Sequence, residues 1–91
     1  MLTVHKFPIP LSSQFELELP VEHTIIKVAM QASEPMMWVL LETQDTAVKK
    51  YRFIVVGTGQ PLRTRNVEYV GTFLTRNDSM VFHVFVVGKE S

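Results

Sequence analysis

No cysteine occurs in this chain of 91 residues. Disulfides, thiolate catalysis and cysteine-based zinc sites are excluded together. Net charge is missing too, because nine Lys and Arg offset nine Asp and Glu. A dedicated, sequence-independent nucleic-acid binder carries a basic excess, so zero charge argues against that class. No apolar run approaches the roughly 18 residues of a membrane span. The opening MLTVHKFPIPLSS lacks the apolar core of a secretory leader. These absences make a cytoplasmic location the expectation. The length leaves no room for a second core, which makes residues 1–91 a single domain.

What is present alternates with a period of two. In FELELP (15–20), Phe15, Leu17 and Leu19 face one way and Glu16 and Glu18 the other, as in a half-buried strand closed by Pro20. HTIIKVAMQ (23–31) is rich in β-branched residues, which favour strand over helix. MMWVLLE (36–42) is apolar on both faces and predicts a central or doubly covered strand. AVKKYRFIVVG (47–57), VEYVGTFLT (67–75) and MVFHVFVVG (80–88) are further strands. ASEP, TQDT and RNDS supply turns between strands, with Asn-Asp suited to a tight hairpin. LTVHKFPIP is extended, and Pro8 and Pro10 confine its end to a sheet edge or to a chain running off the sheet. The fold class is all-β: a compact antiparallel sheet system, sandwich- or barrel-like, of six to seven strands with little or no helix. The implied strand content, roughly 55–60%, is high for a general domain but ordinary for that class.

Charge is unevenly spread. Residues 1–45 hold two lysines against six acids, a balance of −4, and residues 46–91 hold seven cations against three acids, a balance of +4. Cross-strand or subunit-to-subunit pairing accounts for the split. The other account is a basic patch over Lys49–Arg65 that meets an acidic partner or a phosphorylated ligand. Apolar faces in so short a chain, together with free strand edges, also predict a homo-oligomer.

IVVGTGQPLRTRN (54–66) is the strongest candidate site. Gly57 and Gly59 allow close backbone approach, and the amides of Gly57, Thr58, Gly59 and Gln60 could form an anion nest completed by Arg63 and Arg65. The stretch is no dinucleotide fingerprint, which needs a third glycine and a following helix; here Gln60-Pro61-Leu62 follows. The alternative is a glycine turn leaving a long strand, with its arginines exposed. His5 and Lys6 are candidates for an edge or partner contact. His5, His23 and His83 have no metal-ligand spacing, and His83 inside an apolar strand reads as a half-buried, hydrogen-bonded residue. No nucleophile elbow or carboxylate pair is present, so no catalytic residue, cofactor or metal is expected.

The blocks VHKFPIP, MWVLLE, YRFIVVGTGQPL, YVGTF and VFHVFVV, in that order, resemble a family of short proteins common in tailed-phage and prophage genomes. Members often carry histidine after the second glycine, where this chain has Gln60. The family is a domain of unknown function, and the resemblance implies phage origin and a small β-rich fold. By analogy with small phage proteins, the expectation is a non-enzymatic accessory protein in the host cytoplasm. It would bind a host protein or self-assemble. The alternatives are a sponge for a phosphorylated signalling nucleotide and a virion or assembly component.

Overall fold

The computed structural model describes residues 1–10, 12–44, 47–75, 77 and 79–88. Seven strands form in chain order: β1 Leu2–Pro8, β2 Gln14–Pro20, β3 His23–Gln31, β4 Glu34–Glu42, β5 Val48–Gly57, β6 Val67–Thr75 and β7 Met80–Val87. They build a three-stranded sheet, β1-β4-β3, and a four-stranded sheet, β2-β5-β7-β6, with every pairing antiparallel. No helix is present among the described residues. The two sheets pack face to face and are not closed into a barrel, so the all-β expectation resolves to a sandwich.

Alternation decides which residues meet between the sheets. Met37, Val39 and Leu41 of β4 are buried against Leu19, Phe53, Phe73 and Val84 of the other sheet, with Ile9 at the end. Tyr51, Phe53 and Val55 share the inner face of β5, while Lys50 and Arg52 lie on the outer one. The register sets Glu16 opposite Arg52 and Glu18 opposite Lys50. Part of the charge split is thus cross-strand pairing within one sheet.

The sheets approach closest where edge strand β3 lies against edge strand β6. Both edges are irregular there: the register shifts between Ile25 and Lys27 in β3, and between Tyr69 and Gly71 in β6. A β-bulge bends its strand and raises the local twist, which turns each edge toward the other. Gly71 sits at the contact point, and a Cβ there would lie 2.6 Å from Val28 Cβ.

The hairpin before β4 is tighter than ASEP implied. Ala32 and Ser33, with φ of 50° and 69°, form a two-residue turn, so β4 begins at Glu34 and takes Pro35 into the strand. Two positive φ values match the primed turns that suit strand twist, but neither residue is a glycine or asparagine. Replacing Ala32-Ser33 by Asn-Gly should therefore stabilise the fold by about 1 kcal/mol in denaturant unfolding. Asp45 and Thr46 of the TQDT turn, and Arg76 and Asp78 of RNDS, lie outside the described residues.

At the opposite end the Met1 amino group pairs with the Glu42 carboxylate, and Gln44 N–H donates to the same side chain. These bonds, led by the one to the amino group, hold the Glu42 carboxyl below its ordinary 4.5. A depressed carboxyl contributes stability above its unfolded value and loses it as pH falls through its folded value. The acid limb of a thermal-stability profile below pH 4.5 should flatten in Glu42→Gln.

Candidate functional site around the GTGQ turn

β5 and β6 both pair antiparallel with β7, which lies between them, so β5 and β6 run parallel. The chain leaving β5 must therefore travel back along the sheet before β6 can start. Residues 57–66 make that return. The reversal is a β-turn in which Gln60 N–H donates to Gly57 C=O at 3.0 Å. Gly59 occupies the third position with φ of 89°, which a type II turn reserves for glycine. Alanine at Gly59 meets open space but an unfavourable φ, so Gly59→Ala should cost about 1–2 kcal/mol.

The turn consumes three of the four amides a nest would need. Gly57 N–H donates to the Gln60 side-chain oxygen at 2.9 Å, Thr58 N–H to Val81 C=O at 3.1 Å, and Gln60 N–H to Gly57 C=O. An anion at this loop would have to be held by arginine side chains rather than by a main-chain cradle. Gln60→Leu removes the acceptor from Gly57 N–H and should cost about 1 kcal/mol, whereas Gln60→His keeps a ring nitrogen able to accept.

Beyond Pro61 the strap lies over the outer face of the four-stranded sheet. Gln60, Pro61, Leu62, Arg63 and Thr64 border a groove of about 410 Å³ with Ile54 and Val56. Leu62 and Thr64 are half-buried while Arg63 and Arg65 are exposed, the alternation of an extended segment resting on a sheet. At its far end Gly88 N–H donates to Asn66 C=O.

Thr58 ties the turn to the sheet beneath. Its hydroxyl lies 2.8 Å from His83 Nε2, and His83 Nδ1 lies 3.0 Å from the Thr72 hydroxyl. Tyr69 and Thr72 hydroxyls are 2.6 Å apart. One donor direction satisfies the whole chain: Tyr69 O–H donates to Thr72, Thr72 O–H to His83 Nδ1, and His83 Nε2–H to Thr58. Thr58 O–H then faces Val81 C=O at 3.5 Å. The reverse direction leaves that carbonyl with the Thr58 amide alone. The geometry therefore favours the Nε2–H tautomer.

GTG, YVGT and VFH, three of the blocks that carry the family resemblance, thus converge on one imidazole. The model of a family described as a domain of unknown function, DUF7352, matches residues 1–91. The chain belongs to the DUF7352 family. No curated protein and no solved structure matches it. Within this DUF7352 domain, Gly57, Thr58, Gly59, Gln60, Arg63 and Arg65 form one continuous feature, with the two arginines on its outward side. His5 and Lys6 belong elsewhere, on edge strand β1, where Lys6 Nζ donates to Gln31 Oε1 at 2.7 Å. The reading of His83 as half-buried and hydrogen-bonded agrees with its place here. What sequence reasoning missed was its partners, Thr58 in the turn just after β5 and Thr72 of β6, which reach it from either side of β7. Among the described residues no three His, Cys, Asp or Glu side chains are grouped to hold a metal.

Proposed function

We propose that this domain acts by binding rather than by catalysis. It is a non-enzymatic accessory module, phage-associated as its resemblance implies, that self-associates and presents its strap face to a host protein. The observation that carries this reading is surface area. The chain exposes 6357 Å². A folded monomer of 10.4 kDa exposes roughly 5,400 Å². The surplus of roughly 950 Å² is close to the roughly 800 Å² per partner of a standard interface. It follows from shape: the Cα frame measures 42 × 34 × 16 Å, a slab two sheets thick with two broad faces. Size-exclusion chromatography with light scattering should give a multiple of 10.4 kDa at hundreds of micromolar. A clean monomer would remove self-association.

One observation favours a second reading, the sequestration of a phosphorylated signalling nucleotide. A cleft of about 420 Å³ is lined by Lys49, Lys50, Tyr51 and Arg52 with Glu16 beside them. On this reading, cyclic dinucleotides raise the melting temperature and the Lys49→Ala/Lys50→Ala variant abolishes the rise. No shift with the wild-type chain removes the reading.

A further inference from the structure

We propose that the outer face of the three-stranded sheet is the self-association surface and that its occupant is a second copy of the chain. This rests on the self-association reading above and specifies the face. The two broad faces of the slab differ. The strap crosses the outer face of the four-stranded sheet and sets Leu62 on it, whereas no such segment crosses the other outer face among the described residues, where the Lys6 side chain reaches Gln31 and that of Lys27 lies over Trp38. Leu2 is 61% exposed, Val4 49% and Ile26 53%, and they surround Leu40 and Trp38 on adjoining strands. A contiguous apolar patch of this kind is a binding surface in a folded protein.

The register gives the patch a charge order that fits a copy of itself. Across the sheet, Lys6, Trp38 and Lys27 form one row, and Lys27 Nζ stands 5.5 Å from the Trp38 ring centre. The next row along β4 is Val4, Leu40 and Thr24, and beyond it lies Leu2 beside Glu42. Leu40 is therefore midway between a lysine row and the Glu42 carboxylate, whose Oε1 takes the Met1 amino group and the Gln44 amide, so that a lysine from another copy would meet its Oε2. A two-fold axis lying in the interface, parallel to the sheet and running across the strands above Val4 and Leu40, lays each Lys6–Lys27 row over the Glu42 of the other copy. It places Val4 and Leu40 against their own equivalents. Such a contact is self-complementary and closes at two copies. Sheets packed this way repeat the face-to-face arrangement already inside the sandwich.

The test is light scattering on the wild-type chain and two double variants, each checked for folding by circular dichroism. Wild type should run at twice 10.4 kDa. Val4→Glu/Ile26→Glu, at exposed positions outside the core, sets like charges together across the axis. It should weaken the dimer at least roughly a hundredfold and leave a folded monomer. Leu74→Glu/Met80→Glu, at exposed positions of the four-stranded sheet outside the His83 network, should remain dimeric. Trp38 is the single tryptophan, so its emission should shift to the red on dilution of wild type. A dimer that survives Val4→Glu/Ile26→Glu, or dissociates with Leu74→Glu/Met80→Glu, overturns this face and leaves self-association standing. A wild-type monomer at hundreds of micromolar overturns both.

Discussion

Gly71→Ala should lose about 3 kcal/mol of stability, the upper part of the overpacking range. For a domain of this size that is a fall of roughly 12 °C or more in Tm. The new Cβ would stand 2.6 Å from both Cβ and Cγ2 of Val28. A rotamer change moves Cγ2 but not Cβ, so relief requires β3 and β6 to separate. That separation would also disturb Thr72 and Tyr69, which flank Gly71 and lead to His83. The check is a double-mutant cycle. Val28→Gly is itself destabilising, but in its background Gly71→Ala should cost less than about 1 kcal/mol, a coupling near 2 kcal/mol. Equal costs in both backgrounds would place the role of Gly71 in its own backbone conformation instead.

Much of this fold was legible because period-two alternation is a direct record of burial. FELELP and KKYRFIVV state which side chains face the core, and the register confirms it by setting Glu16 and Glu18 against Arg52 and Lys50. The turn at Ala32-Ser33 was harder to place, since left-handed conformations there carry no glycine to mark them. Pairing order was not legible at all. Nothing local in β1 says that it joins β4, or that β7 sits between β5 and β6. That order explains GTGQPLRTRN: it is the return path of a crossover, with a glycine turn at its start and alternating inward Leu62 and Thr64. A glycine inside the otherwise strand-like YVGTF was the available sign of a bulge or a close approach. Its meaning depended on Val28, more than 40 residues earlier in the chain.

The site and the surface also divide the molecule's chemistry. The outer face of the four-stranded sheet carries the strap, its arginines and the His83 network, and so holds most of the polar detail. The outer face of the three-stranded sheet carries apolar bulk with two lysines. If the second face is closed by another copy, the strap faces of the pair point outward on opposite sides. A partner that recognises Arg63 and Arg65 then meets two identical surfaces on one particle, and bivalent contact raises avidity without any new contact within a site.

Phe53→Ala should be the most damaging single truncation, at about 3–5 kcal/mol. Phe53 is fully buried, stacks on Phe15 with ring centres 4.9 Å apart, and pairs across β5–β7 with Val86. Among the described residues eight hydrophobic side chains form the buried core, so the cavity has few neighbours able to collapse into it. A domain of this class is stable by about 5–15 kcal/mol, and the loss takes a large share of that. Self-association changes how the loss is read. Folding coupled to dimerisation gains stability with concentration, so the variant should unfold at a lower denaturant midpoint when dilute and recover part of the difference when concentrated. Adding Val4→Glu/Ile26→Glu should abolish that concentration dependence while leaving the cost of the cavity in place. A midpoint for Phe53→Ala that is independent of concentration, with the wild-type chain shown to be dimeric, would mean that the interface and the core stabilise the domain separately.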